Sequence, residues 1–568
     1  MVSRFFVALA FAIAGLAGAG AAQASPLAHM PEVRSQNGIA QLTLTAVQNA
    51  KTGLPAFSYN GGLVPPMIRV NPGDRIELLY VNALPTPVHQ SFTNMTNLHF
   101  HGLKTSPHAP GDDTITIMIM PGQSYQYVVA IPKDESPGLY WYHTHPCGET
   151  NRQASGGMSG LIVVNGIEKY YPAVAQVPER LLIMRDAYPQ GEPVPAARSV
   201  RARTQGSAIC TGPGSEVVSL NGAYRPSIGI RPGETQFWRF ANASANTFVD
   251  IKVDGAQLGV IARDGEPIVF RDPSGRGVVY NDYLVPPAGR VEFFVTGPHY
   301  ATAKFRTLCV DTGPVGDIAP NRVLADLNTQ DPARDALVPG PEALQPTRKP
   351  ARDIRSFAIS DTKTIVFTEN KPSGIYMING QRYDPTKPAH YFARVGTVEA
   401  WTVVNETPEL HAFHIHQLHF LVYDPQAPAP TGTPLDFQDT VTVPYAKTGA
   451  GGKLIPGVVH VLMDFTDPTI KGTFMFHCHI IEHEDGGMMA KIEVLGPDAP
   501  AANPVSAFIS ESIGLLNSIA HPSNATALAI VAHMCGHADP ESESARVARY
   551  SAASARRSVE SSIATTAQ

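Results

Sequence analysis

An internal repeat restricts the fold of this 568-residue chain more than any other feature. The stretch YNGGLVPPMIRVNPGDRIELLYVNALP carries Asn60-Gly61 and Pro72-Gly73-Asp74. It returns as LNGAYRPSIGIRPGETQFWRFANAS, with Asn221-Gly222 and Pro232-Gly233-Glu234, and again as INGQRYDPTKPAHYFARVGTVEAWTVVNET, with Asn379-Gly380 and Val395-Gly396-Thr397. Gly73, Gly233 and Gly396 lie 160 and 163 residues apart. Each copy reads as strand, turn, and a second strand ending in Asn, with Gly supplying a backbone conformation that other residues avoid.

Between these anchors run short stretches such as RIELLYVN, SYQYVVAI, TQFWRFAN and VEFFVTG. They are rich in β-branched and aromatic residues and are bounded by Pro, Gly, Asn and Asp. That pattern predicts an all-β chain of three similar sandwich units. The units are expected at 36–168, 169–345 and 350–497, with a Pro/Ala/Arg-rich linker from Asp331 to Arg352 leading into the third. Composition changes at 498–568: AFISESIGLLNSIA and NATALAIVAHMC predict a short, partly helical tail, and the Ser/Ala/Arg-rich end is expected to be disordered.

Residues 1–24 read as a secretory signal peptide: Arg4, an apolar run, then Ala22-Gln23-Ala24 as a small-x-small cleavage site. An exported protein, periplasmic or extracellular, is therefore expected. No later stretch holds eighteen apolar residues, so no membrane span is expected. The net charge of −6 is spread along the chain and suggests no nucleic-acid partner.

Ten of the 20 histidines fall in four short clusters: His99 and His101; His143 and His145; His411, His414 and His416; His477, His479 and His483. Each cluster contains His-x-His. On a strand, residues i and i+2 point the same way, about 6.5–7 Å apart, so four such pairs can surround a small group of metal ions. In His477-Cys478-His479 the two imidazoles face one way and the sulfur the other. Cys478 can then bind a different metal from its neighbours while its backbone joins the two sites. One thiolate, two imidazoles and a distant thioether suit an electron-transfer copper. Cys478, His483 and Met488 lie in one loop, Met489 is the alternative thioether, and His411 is the spare imidazole. A single zinc site would need four ligands and leave most of the clustered histidines unexplained.

Taken together, these motifs over residues 36 to 497 resemble the multicopper oxidase family. The resemblance implies three cupredoxin-like Greek-key β-sandwich domains holding four copper ions: one type 1, one type 2 and two type 3. The type 1 ligands would be His411, Cys478, His483 and Met488, and the type 2 ligands His99 and His414. One type 3 ion would take His101, His143 and His477, and the other His145, His416 and His479. A small-molecule or metal-ion reductant would give electrons at type 1 copper, and O2 would become water at the other three. Glu484 and Asp112 resemble the family's proton-delivering acids, with neighbouring Asp113 the alternative to Asp112. Asp439 is expected to orient a ligand imidazole. No cofactor beyond copper is implied, and a monomer is expected.

Four other cysteines, Cys147, Cys210, Cys309 and Cys535, allow three disulfide pairings, among which the sequence does not choose. Joining Cys147 to Cys535 would staple the tail near the histidines. The 14 methionines form no dense run, Met118-Ile119-Met120 being the nearest. Copper-tolerance members of the resembled family often carry Met-rich insertions, so this disfavours Cu(I) as donor; phenols and aromatic amines are expected, with oxidation of Cu(I) or Mn(II) the alternative. A non-catalytic copper-binding or structural protein of the same fold is the reading from a different class.

Overall fold

The computed structural model describes residues 24–499, apart from 50–55, 63, 88–92, 187–209, 211–217, 271–277, 330–345, 348–352 and 428–433. The expected signal peptide, apart from Ala24, and the expected tail, apart from Asp498 and Ala499, lie outside the described residues.

Strands dominate, and among the described residues the only α-helices are Thr150–Ser155 and Ile481–Asp485. Three double-sheet sandwiches follow one another. In the first, the sheet Ala56–Tyr59, Ile39–Asn49, Arg75–Asn82, Ser124–Ala130 faces the sheet Glu32–Arg34, Met67–Val70, Ser159–Val164, Gly138–His143. Arg75–Asn82 alternates exposed or half-buried with buried residues, as a half-covered strand requires. Gly138–His143 is buried along its whole length because other sandwiches cover its outer face. The repeated turns are where the strands demand them: Asn60, Asn221 and Asn379 adopt φ of 54°, 48° and 50°, and Gly73, Gly233 and Gly396 adopt 91°, 74° and 91°.

Each sandwich closes on its own apolar core: Leu78, Tyr80 and Tyr127 in the first, Trp238, Phe293 and Phe305 in the second, Trp401, Phe413 and Phe476 in the third. The all-β, cupredoxin-like architecture expected from the sequence is the one observed.

Two sheets position the chemistry. In the third sandwich, His411–Ile415 lies between Thr440–Val443 and Gly472–Cys478, with Phe413 opposite Cys478 and His414 opposite His477. In the first, His99 and His143 exchange backbone hydrogen bonds of 2.8 and 3.1 Å at the end of Gly138–His143. Both short helices follow a His-x-His pair, and Gly-Gly-Met follows each helix, Gly156-Gly157-Met158 and Gly486-Gly487-Met488. Ala154, Ile481 and Ala245 pack together and bring one residue from each sandwich to a common point.

Candidate metal centres

Strand alternation sorts the histidines. His414 and His477, paired across two strands, put their rings on one face, and His411 and Cys478 occupy the other. On the first face, His414, His416, His477 and His479 meet His99, His101, His143 and His145 from the first sandwich. All eight are buried to 1 % exposure or less. His99 stacks on His416 at 3.8 Å and His101 on His414 at 3.9 Å between ring centroids.

His99, His101, His143 and His414 are each tied through one nitrogen to a group around the cage. His99 Nδ1 lies 2.9 Å from Asp112 Oδ2, and His101 Nε2 3.2 Å from Asp439 Oδ1. His143 Nδ1 is 2.8 Å from Thr144 O, and His414 Nδ1 is 2.9 Å from Asp439 O. The opposite nitrogens, His99 Nε2, His101 Nδ1, His143 Nε2 and His414 Nε2, have no hydrogen-bond partner, nor do His416 Nδ1 and His479 Nε2. Burial, and then the neighbouring imidazoles, hold seven of the eight well below the usual histidine range. In His99, His101, His143 and His414 one nitrogen is tied and the other unmet, and with the four remaining buried imidazoles they form a donor set suited to metal ions.

The grouping within the cage corrects the expected assignment. His477 Nε2 lies 3.4 Å from His145 Nε2 and 3.2 Å from His416 Nε2, so His477 joins that pair. His479 sits instead 5.1 and 5.4 Å, ring to ring, from His101 and His143. The reason is local. His477 is still in the strand, opposite His414, whereas His479 lies beyond its end with its N–H on Ala412 O at 2.6 Å.

On the other face, His411 Nδ1 lies 3.3 Å and His483 Nδ1 3.8 Å from Cys478 Sγ, and the two nitrogens are 3.1 Å apart. Thr407 Oγ1 holds His411 Nε2 at 2.7 Å, and Glu409 Oε1 holds His483 Nε2 at 3.2 Å. Tyr376 stacks on His483 at 4.2 Å. Met488 is fully buried in the same apolar cluster as Cys478, and its carbonyl accepts from Cys478 N at 3.0 Å. Met489 packs with Tyr383 and Met475 instead. A thiolate, two imidazoles and a neighbouring thioether suit copper.

The acids separate clearly. Asp112 reaches His99, whereas Asp113 caps its own turn through Ile115 N and Thr116. Glu484 lies 3.2 Å from His477 Nδ1 and 3.5 Å from His145 Nε2, and burial pushes its carboxyl well up. Asp439 is gripped by Arg290 of the second sandwich through two bonds of 2.8 and 2.6 Å. Sequence reasoning missed Arg290 and Gln417, whose amide donates to Asp112 at 2.6 Å. Neither sits in a motif.

Cys210 and Cys309 form a disulfide, and Cys147 is disulfide-bonded too. Cys535, one of the three partners open to it in the sequence, lies outside the described residues. Met95, Met118 and Met120 pack together with Cys147, which also touches the Met475–Met489 group. The fold thus gathers methionines that are scattered in the sequence.

Cupredoxin-like sandwiches in series, with an imidazole cage between the first and third and a thiolate site one residue away, define a copper-dependent oxidoreductase. Models of one family, multicopper oxidase, match residues 43–169, 178–309 and 355–497. The chain belongs to the multicopper oxidase family, oxidoreductases that use O2. A multicopper oxidase of Staphylococcus aureus is 24% identical over 479 residues, 81% of this chain and 90% of that protein. A Bacillus subtilis laccase is 23% identical over 497 residues, 78% of this chain and 90% of that one. An iron transport multicopper oxidase of Epichloe festucae is 25% identical over 490 residues, covering 77% and 72%. Among solved structures, a Campylobacter jejuni multicopper oxidase described as a metallo-oxidase superposes with a TM-score of 0.65 at 23% identity, over 83% of this chain and 96% of that one.

Proposed function

We propose that this protein takes single electrons from a reducing substrate at a type 1 site of His411, Cys478, His483 and Met488, and reduces O2 to water at the imidazole cage. His99 and His414 would hold a type 2 ion. His101, His143 and His479 would hold one type 3 ion, and His145, His416 and His477 the other. Copper bound in these four places supplies one-electron redox chemistry at the first site and four-electron reduction of O2 at the other three.

The chain's own contribution is connection, orientation and proton supply. Cys478 is bonded through its backbone to His477 and His479, so the two centres share one covalent path. Asp112 and Arg290-held Asp439 fix the rings of His99 and His101. Asp112, at His99, and Glu484, at His477 and His145, would pass the protons that water formation consumes.

One observation carries the reading: Cys478 Sγ faces His411 and His483 while its flanking histidines face the cage. Replacing Cys478 with Ser tests it. The intense blue absorption and donor oxidation are expected to vanish together while copper remains in the cage. A variant that keeps both colour and turnover overturns the proposal.

The donors are phenols and aromatic amines, oxidised at a cleft beside His483 that Phe248, Thr247 and Ile480 help to line. A second reading, oxidation of metal ions, is favoured by Asp317, Glu409 and Glu482 in the same cleft, and by the methionines gathered at Cys147. Oxygen-uptake assays of a phenol, an aromatic amine, Cu(I) and Mn(II) under one set of conditions rank the two. Work in an oxidising compartment, periplasmic or extracellular, accords with the Cys210–Cys309 disulfide. The chain is proposed to act as a monomer.

A further inference from the structure

Gln417 stands directly after His416 and contradicts two local rules. Its φ is +59°, a left-handed conformation that L side chains rarely adopt. Leu418 N donates back to His416 O at 2.8 Å, closing a three-residue turn around Gln417 of the form with positive φ, the strained one. The side chain is also buried, at 1 % exposure, and its Oε1 has no hydrogen-bond partner. A glycine would avoid both costs.

The compensation is one bond. Gln417 Nε2 donates to Asp112 Oδ2 at 2.6 Å, across the junction of the first and third sandwiches. The same carboxylate receives His99 Nδ1 at 2.9 Å and, on Oδ1, Phe100 N at 3.0 Å. His99 in turn stacks on His416 at 3.8 Å. The contacts close a ring: Gln417 to Asp112, Asp112 to His99, His99 to His416, and His416 through the chain to Gln417. Strain and an unmet buried carbonyl, kept together at one residue, mark a position held for function rather than for stability.

We infer that Gln417 is a positioning residue, whose carboxamide locks the Asp112 carboxylate onto His99 and thereby aims His99 Nε2 into the cage before any metal arrives. The inference rests on the copper assignment proposed above for its consequence in turnover, but not for the geometry itself. Asp112 has three donors. Phe100 N is fixed by the backbone, so Gln417 is the partner that holds Oδ2 against rotation.

Gln417→Gly removes the clamp and relieves the turn, whereas Gln417→Met keeps the side-chain bulk without the donor. Crystal structures of both copper-free variants are expected to show Asp112 rotated and His99 Nδ1 beyond 3.5 Å from it. In copper-loaded protein, both variants should keep the wild-type blue absorption, change the type 2 electron paramagnetic resonance splitting, and lose turnover by tenfold or more. Gln417→Gly should at the same time unfold no lower than wild type when copper-free. An Asp112–His99 contact intact in both variants overturns the inference, as does an unchanged type 2 signal with full turnover. A Met variant indistinguishable from wild type would reduce Gln417 to packing and also overturn it. Wild-type protein lacking blue colour would instead defeat the copper assignment, and the copper-free structures would still decide the role of Gln417.

Discussion

Single residues in this molecule are pulled between burial and charge, and Glu135 shows the effect away from the metal centres. It is 2 % exposed and accepts from Lys104 N at 3.0 Å and Tyr140 OH at 3.1 Å. Burial raises its carboxyl from 4.5 to about 7, against the pull of Lys104. The folded protein therefore binds a proton between pH 4.5 and 7 that the unfolded chain has released. This group's contribution to stability is present in full below pH 4.5 and is lost as pH rises towards 7. Glu135→Gln removes the titration. Its unfolding free energy should gain on that of wild type from pH 5 to pH 8, by on the order of 3 kcal/mol at most, as calorimetric scans would show. Parallel curves for the two proteins would refute the assignment. At this scale the sequence was most informative where geometry is local. The opposed faces of His411 and His414, and of Cys478 and His477, were readable because alternation along a strand is invariant, whereas His145, His416 and His479 lie beyond their strands' ends. The exchange of His477 and His479 was not readable, since it depends on where Gly472–Cys478 stops and how His479 leaves it. Gln417 was invisible because its meaning comes from Asp112, 305 residues away.

At the scale of elements, the loop from His477 to Met488 is shaped by what it must avoid. A Cβ on Gly486 would lie 2.3 Å from Tyr376 Cδ2, and Tyr376 is the ring stacked on His483. Gly487 has φ of +114°, and a Cβ there would lie 2.3 Å from Arg382 Cγ. The glycines let the helix Ile481–Asp485 turn sharply enough to return Met488 beneath Cys478. Gly486→Ala should push Tyr376 from His483, costing about 1–3 kcal/mol and shifting the blue absorption band. A melting curve and a visible spectrum measure both, and an unshifted band with unchanged stability would rule the packing argument out. The strands and their turns were legible from short β-branched runs and Asn-Gly pairs. The helices were not, because each spans only five or six residues.

The whole molecule converges on a single charged contact. Arg290 from the second sandwich grips Asp439 of the third, which touches His101 of the first. Both charges are buried, at 1 % exposure or less. Arg290→Met leaves the buried Asp439 carboxyl without its guanidinium partner, at a cost of about 3–5 kcal/mol. The variant should unfold at lower denaturant and lose copper from the cage before the Cys478 site, as denaturation curves and copper counts at each centre would show. Equal loss from both centres would contradict this role. Nothing in the sequence marks the second sandwich as part of the site, since it supplies no clustered histidine; it acts through Arg290 at the cage and through Thr247, Phe248 and Asp317 at the cleft beside His483.

The one-residue offset between Cys478 and the histidines on either side has a broader consequence. In the proposed reading, the hand-over distance is a constant of peptide geometry, beyond the reach of substitutions at the cleft. Exchange of Phe248, Asp317 or Glu482 would then change which reductant is admitted and leave the covalent path through Cys478 as it is. On that reading the molecule is a fixed engine with an interchangeable inlet.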